Sequence, residues 1–261
     1  MAGPNKAFYF KGISSLDLGL RIESKQILDG AAPQFETYQV PGRDGPLYER
    51  TGYEPVPVQY NVYLKAPRPQ DMTGWVGSVK AWLQKDQGSY FRLNDDYDLT
   101  HYRMAAYLSG LPVTNDWKLF SRMSLEFSAK PYRYLLSGEE VLELANGQET
   151  EVYNPTAFEA LPTFAIHLGI QWSQQPITLT VEGEEGETYS QQLTGIPTNL
   201  LGGTVLVNSD TQTVRSDLPG KPMIPTAQLD LFPVLWPGKN KVTVGASGIS
   251  STSLTPYWRE L

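Results

Sequence analysis

From Val56 to Lys65 the chain alternates without a break. Val56, Val58, Tyr60, Val62 and Leu64 fall on one side, and Pro57, Gln59, Asn61, Tyr63 and Lys65 on the other. A side-chain period of two over that length does not fit a helix and specifies a strand buried on one face. Upstream lies Val40-Pro41-Gly42-Arg43-Asp44-Gly45-Pro46-Leu47-Tyr48, with two Pro and two Gly in nine residues. Pro fixes φ at about −65° and Gly accepts positive φ. The stretch therefore predicts a sharp, stiff turn, with Arg43 and Asp44 at its tip, at the end of the apolar–polar run Phe35 to Val40. The rest of the N-terminal half is organised around this loop and the strand after it.

The same period recurs elsewhere. Phe8–Lys11, Leu16–Ile22, Ser89–Leu93, His101–Leu111 and Trp117–Ala129 predict strands, with Asn94–Asp98 as a polar turn and Pro112–Asp116 as a loop. One helix is predicted, about 72–86. Met72, Trp75, Val76, Val79, Trp82 and Leu83 share an arc of about 120°, a core-facing stripe. Asp71 or Thr73 can cap it and Gly88 can end it. Gly74 and Gly77 lie on its polar face, where each costs about 1 kcal/mol relative to Ala. Either the helix tolerates them, or another backbone, such as a neighbouring subunit's, approaches that face. Beyond Gly138 short strands follow one another: Thr163–Leu168, Ile177–Val181, Glu187–Gln192, Thr204–Asn208, Thr211–Val214, Gln228–Leu231, Lys241–Val244 and Ser253–Trp258. Turn residues such as Gly202-Gly203, Pro219-Gly220 and Pro237-Gly238 separate most of them, the pattern of a β-sandwich. The expected fold is mainly β with one helix. It divides into an N-terminal sandwich or belt unit, residues 1–136, and a C-terminal antiparallel sandwich, residues 137–261.

Charge divides the chain in the same way. Residues 1–136 hold sixteen Lys and Arg against fourteen Asp and Glu, and the remainder five against fourteen, within a net charge of −7. An acidic balance argues against specific nucleic-acid binding, which needs a basic footprint. Cysteine is absent, which excludes disulfides and thiolate chemistry. No apolar run approaches the roughly 18 residues of a membrane span, and the N-terminus lacks the features of a signal peptide. No membrane insertion and no export signal are expected.

Catalytic candidates are few. His101 and His167, the only histidines, have no His, Cys or carboxylate at ligand spacing. Asp95-Asp96-Tyr97-Asp98 could attract Ca²⁺, yet lacks the Gly and distal Glu of an EF-type loop. Glu182, Glu184, Glu185 and Glu187 crowd around Gly183 and Gly186 as on a solvated hairpin tip, although a glycosidase carboxylate pair is not excluded. Phosphate loops, nucleophile elbows and zincin helices are missing. No catalytic, metal or cofactor site is expected. Trp172, beside Ser173-Gln174-Gln175, is either a sugar-stacking platform or a core residue.

Three groups of residues, in order, carry a resemblance. The first is Leu28-Asp29-Gly30, then Val40-Pro41-Gly42-Arg43-Asp44-Gly45, then Gly52-Tyr53. The second is Val152-Tyr153-Asn154-Pro155 followed by Ala160-Leu161-Pro162-Thr163-Phe164-Ala165-Ile166. The third is Val205-Leu206-Val207-Asn208-Ser209-Asp210 with Phe232-Pro233-Val234-Leu235-Trp236-Pro237-Gly238-Lys239-Asn240. Over nearly its whole length the chain resembles the distal tail (Dit) proteins of long non-contractile-tailed phages of Gram-positive bacteria. It departs from them at Asn208-Ser209-Asp210, where Asn stands in place of an expected Asp.

The resemblance implies a virion protein at the tail tip or baseplate, with an N-terminal belt domain that closes a homohexameric ring and a C-terminal galectin-like domain that projects outward. Implied partners are the tail-tube protein, the tail-tip or tail-associated lysin protein, the tape-measure protein and, in baseplate-bearing phages, receptor-binding proteins. Tape measure and DNA would pass through the channel. In such a ring Gly42, Arg43, Asp44 and Gly45 are candidates for a subunit contact, with a solvated hairpin tip as the alternative. A carbohydrate-binding module using Trp172 is the competing function, and a cell-wall glycosidase the third.

Overall fold

The computed structural model describes residues 7–116, 120–220 and 223–261. The predicted strand positions Trp117, Lys118 and Leu119 lie outside the described residues. The chain forms two compact units, Met1–Arg133 with Leu261, and Tyr134–Glu260. Both are built of antiparallel strands, with one α-helix in the first among the described residues.

The first unit contains β1 (Phe8–Phe10), β2 (Ile13–Ser14), β3 (Leu20–Gln26), β4 (Pro33–Tyr38), β5 (Leu47–Tyr53), β6 (Val56–Lys65), α1 (Met72–Gln84), β7 (Phe91–Asp95), β8 (Asp98–Tyr107), β9 (Val113–Asp116) and β10 (Phe120–Leu135). Its main sheet runs β2-β1-β7-β8-β10-β6-β3, and β9 adds to β10. At its centre β6 pairs with β10 from Val56↔Ala129 to Lys65↔Phe120. The predicted alternation holds residue by residue: Val56, Val58, Tyr60, Val62 and Leu64 are each at most 2% exposed. Each aliphatic side chain so buried contributes roughly 1.5–3 kcal/mol.

Aromatic rings fill the space between the sheet and α1. Phe8 stacks on Tyr60 at 4.3 Å and on Trp82 at 5.7 Å, and Phe10 meets Phe127 edge-on at 4.9 Å. The Trp82 indole N–H donates to the Phe10 carbonyl at 3.0 Å, so the one polar atom of that side chain is satisfied inside the core. The predicted helical stripe is the buried one: Met72, Val79, Trp82 and Leu83 are buried and Trp75 and Val76 pack beside them.

The helix ends at Gln84, short of the predicted terminator Gly88. Lys85 is already extended, Asp86 has φ 61° and Gly88 φ 89°. The Lys11 ammonium donates to the Trp82 and Lys85 carbonyls, which satisfies the last turn. A Cβ on Gly74 or Gly77 would meet nothing within 4 Å. None of the described residues therefore requires glycine there.

Two local expectations fail in this unit. Leu16–Leu18 belongs to a 3₁₀ turn, Ser15–Leu18, because the Ser14 hydroxyl accepts from the Leu16 N–H at 3.2 Å and Gly19, at φ 73°, closes the turn. The predicted loop Pro112–Asp116 is largely β9, recruited by pairing along β10 from Met123↔Val113 to Phe120↔Asp116.

The second unit contains β11 (Leu142–Leu144), β12 (Thr150–Asn154), β13 (Thr163–Leu168), β14 (Ile177–Gly183), β15 (Thr188–Leu193), β16 (Thr204–Asn208), β17 (Thr213–Ser216), β18 (Gly238–Gly245), β19 (Ile249–Thr255) and β20 (Arg259–Glu260). Sheets β11-β19-β13-β16-β17 and β12-β18-β14-β15 share one core. Phe164, Ile166, Val205, Val207 and Leu254 from one meet Leu179, Val181, Val242 and Val244 from the other. Gln228–Leu231 is not a strand, since only Gln228 bridges, to Thr194. The chain's last segment closes this unit. Tyr257 N–H donates to the Gly138 carbonyl at 2.7 Å, and Leu135 N–H to the Trp258 carbonyl at 2.9 Å. A Cβ on Gly138 would lie 2.3 Å from the Trp258 nitrogen.

Two buried asparagines lock the loops at the edge of the second unit. Asn240 donates to the Trp236 and Gly238 carbonyls at 2.8 and 3.1 Å and accepts from the Trp236 N–H at 2.9 Å. Asn154 donates to the Phe158 and Leu235 carbonyls at 2.9 and 3.1 Å. An unmade buried hydrogen bond costs about 1–3 kcal/mol. Asn240→Ala is expected to destabilise the protein by at least that much in urea denaturation. Gly77→Ala should act in the opposite direction, stabilising the isolated chain by about 0.5–1 kcal/mol in the same measurement.

Candidate functional site

The predicted loop is the tip of a free-standing hairpin. β4 and β5 form a two-stranded sheet of their own, from Pro33↔Tyr53 to Tyr38↔Leu47. Val40-Pro41-Gly42-Arg43 is a type II turn: Arg43 N–H donates to the Val40 carbonyl at 3.2 Å, and Gly42, in the third position, has φ 83°. Gly45, at φ 81°, turns the chain again. Space around both glycines is open, so conformation is the reason for them. Arg43 and Asp44 stand between the two turns, exposed, with no side-chain hydrogen bond or ion pair among the described residues.

The hairpin's root is anchored. Ile27 and Ala31 pack on the core, and Glu54 N–H donates to the Ala32 carbonyl at 2.8 Å. Arg103, buried at 7% exposure, donates to the Asp29 carbonyl at 3.1 Å. That contact explains structurally why Leu28-Asp29-Gly30 stands where it does. Beyond the root every residue from Ala32 to Thr51 is exposed except Pro46. Phe35, Tyr38, Val40, Leu47 and Tyr48 are 38–68% exposed. An isolated two-stranded hairpin is marginal in water.

Beside the root is a small recess walled by Ile27, Leu28, Val58 and Leu93, with Asp95, Asp98, His101, Arg103 and Arg133 around it. Its carboxylates are engaged by this chain, although the buried Asp95 Oδ2 has no hydrogen-bond partner among the described residues. Asp95 pairs with Lys25 and accepts the Tyr97 N–H at 2.7 Å. Asp98 accepts from the Thr100 N–H and hydroxyl at 3.0 and 2.7 Å, and lies 3.0 Å from His101 and 3.5 Å from Arg133. Burial pushes the Asp98 carboxyl up, but the Thr100 and His101 hydrogen bonds outweigh it and bring it down to about 2. Burial, together with the nearby Arg133, lowers Arg103 to about 10. The Asp95–Asp98 cluster is thus committed to turn and ion-pair bonds, and no group of three or more His, Asp or Glu is placed to hold a metal among the described residues.

The remaining sequence candidates are structural. Trp172 is 3% exposed within the core of the second unit, with Gly248 against its backbone, where a Cβ would lie 2.5 Å from the Trp172 Cα. The sugar-platform expectation is corrected: a buried indole offers a glycan no face. His167 bonds the Thr204 hydroxyl at 3.3 Å. In the acidic hairpin, Glu184 accepts the Lys239 N–H at 3.2 Å, and nearby Glu149 and Glu151 pair with Lys241 and Lys239. The recess escaped sequence reasoning because its walls come from four strands, β6, β7, β8 and β10, and the segment after β3, which lie far apart in the chain.

The sequence matches no protein-family model and no curated protein. Solved structures do match. The chain is similar to the crystal structure of the SPP1 Dit (gp 19.1) protein, described as a paradigm of the hub adsorption apparatus in phages infecting Gram-positive bacteria. The TM-score is 0.70 at 12% identity, over 98% of this chain and 99% of that one. It is also similar to a chain of the phage p2 baseplate in its activated conformation, with Sr (TM-score 0.62, 10% identity, 99% of each chain) and with Ca (0.59, 8%, 96% of each). The chain has the fold of a phage distal-tail hub protein.

Asp98 sets a pH dependence. Its folded value lies below its unfolded one, so its contribution is present above about pH 4 and is lost as pH falls through 2. Asp98→Asn should lose less stability than the wild type between pH 5 and pH 2.5, measured by urea denaturation at both.

Proposed function

We propose that this chain is a structural distal tail protein, of which six copies close a ring at the tip of a phage tail. The observation that carries this is the coextensive match: a single fold likeness to a hub protein covers 98% of this chain and 99% of that protein. In this reading the first unit is the ring-forming belt and the second the outward, galectin-like domain. The ring joins the tail tube to the tail-tip or tail-associated lysin protein, receives receptor-binding proteins outside, and leaves a channel for tape measure and DNA. It performs no turnover and needs no cofactor.

Physical features of the chain support the proposal. Rings close through heterologous contacts, in which one patch of a subunit meets a different patch of the next. The exposed tip Gly42-Arg43-Asp44-Gly45 is held in shape by Pro41 and two positive-φ glycines, so presenting it to a neighbour carries little ordering entropy. Arg43 suits a subunit contact because its planar fork binds a carboxylate at two points. The net charge of −7 suits a conduit that DNA traverses without adhering.

Native mass spectrometry of the purified protein tests the assignment. Six copies of the 29.1 kDa chain are expected, with closed toroids in negative-stain images. A monomer at all concentrations would overturn the ring. Arg43→Glu should leave the monomer's melting temperature unchanged and deplete the six-copy species; an undiminished ring would remove Arg43 from the interface.

A further inference from the structure

At one corner of the second unit the chain passes twice between the two sheets. Residues 145–149 lead from β11, which pairs with β19, to β12, which pairs with β18. Residues 246–248 make the return from β18 to β19. One side chain ties the two connections together. Asn146 Nδ2 donates to the Ala246 carbonyl at 3.0 Å, and its Oδ1 accepts the Ala246 N–H at 3.2 Å. Beside it Gly147 N–H donates to the Val244 carbonyl at 2.8 Å. A Cβ on Gly245 would lie 3.4 Å from the Gly147 Cα, so the connections meet backbone to backbone.

Asn146-Gly147 is also the one Asn-Gly dipeptide in the chain. Such a pair can react with itself, because glycine has no Cβ to shield its own nitrogen. The Gly147 backbone nitrogen attacks the Asn146 side-chain carbon and a C–N bond forms. The side-chain nitrogen leaves as ammonia, taking the amide proton, and water then opens the five-membered ring to aspartate or isoaspartate. Both residues are exposed, so burial protects neither. What opposes the reaction is geometry. Gln148 N–H donates to the Ala145 carbonyl at 3.1 Å and Gly147 has φ 70°, which makes a type II turn. That turn sets ψ of Asn146 at about +120°, whereas ring closure needs the mirror value, about −120°. The attacking N–H is held by Val244, and both polar atoms on the carbon under attack are held by Ala246.

We propose that Asn146-Gly147 is a covalent modification site gated by the fold: intact while this corner is closed, and converted to aspartate or isoaspartate when it opens. Conversion is one-way. An aspartate there has no proton to give the Ala246 carbonyl and sets a carboxylate against it. Isoaspartate adds a methylene to the backbone and carries the Gly147 N–H away from Val244. Either product unties the two connections, so a corner that has reacted does not reclose as it was. The proposal stands on this corner alone and does not depend on the ring assignment.

Peptide mass spectrometry of the full chain, aged at mildly alkaline pH with and without urea, tests it. In urea Asn146 should convert first among the asparagines. In the folded protein its conversion should be roughly a hundredfold slower, the cost of opening three hydrogen bonds. Equal rates in the two conditions would overturn the gate. Ala246→Pro removes the N–H that holds Oδ1; it should speed conversion in the folded protein and leave the rate in urea unchanged. An unaltered folded rate would remove Ala246 from the gate. If that variant does not fold, hydrogen exchange at the wild-type Gly147 amide decides. Exchange and conversion should rise together through sub-denaturing urea, and a fast-exchanging amide beside a slow-converting Asn146 would count against the gate. Asn146→Asp should lower the urea midpoint, and an unchanged midpoint would show that the product leaves the corner tied.

Discussion

The first unit depends on the long antiparallel pairing of β6 with β10. That register fixes which side chains of each strand point inward. Val58, Tyr60 and Val62 on one strand then share a face with Met123, Leu125 and Phe127 on the other. A slip of one residue would turn the entire apolar set outward, so the pairing is either correct or absent. The aromatic cluster is built on it: Phe8 finds Tyr60 and Phe127 from the two strands, and Trp82 from α1, within 6 Å. The opposite face of the same pairing is polar, with Lys65, Arg122 and Glu126 beside Gln59, which donates to the Ser124 hydroxyl at 2.8 Å, and Asn61, which donates to Ser24 at 2.9 Å. One strand thus supplies the core and a hydrophilic surface together.

The second unit solves a different problem. Its sandwich has long connections, and at Trp236, just before β18 begins, the backbone N–H and carbonyl find their partner in a side chain. Asn240 supplies three hydrogen bonds to that loop from a fully buried position. Asn154 ties the Leu235 carbonyl back toward Phe158. Buried amides are costly unless satisfied, and here the satisfaction falls on one specific loop shape. That is why Tyr153-Asn154-Pro155 and Leu235-Trp236-Pro237-Gly238-Lys239-Asn240 stand out in the sequence. They belong to the folding of the domain, and chemistry need not be invoked for them.

What the sequence revealed follows from how local each signal is. Period two over ten residues and a six-residue apolar stripe on a helix are readable because the pattern is contained in the segment. Val113–Asp116 is too short to show a period, and its strand character comes from β10. Leu16–Leu18 shows a false period, overridden by one hydroxyl and one left-handed glycine. The shape of the arm's tip was legible, since Pro and Gly dictate their own dihedrals. The arm's isolation was not, because the apolar–polar run Phe35 to Val40 carries no local mark of exposure, and only the tertiary structure shows that none of the described residues covers it. Trp172 is the converse: polar neighbours in sequence, core neighbours in space.

The arm also shows where stability and assembly part company. Seen as part of a monomer it is a poor element, with aromatic side chains in water, opposed glutamates and a two-stranded ribbon below the size that holds itself together. Seen against a neighbouring copy in the proposed ring, each defect is one that burial would relieve. The rigid turns at Gly42 and Gly45 fix the tip before any encounter, while the Asp29–Arg103 contact and the packing of Ile27 and Ala31 fix the root. Between two fixed ends the arm has little freedom left to lose. An interface assembled from pre-organised parts spends less of its burial on ordering. In the proposed ring a modest contact per copy then suffices, because every copy is held on two sides.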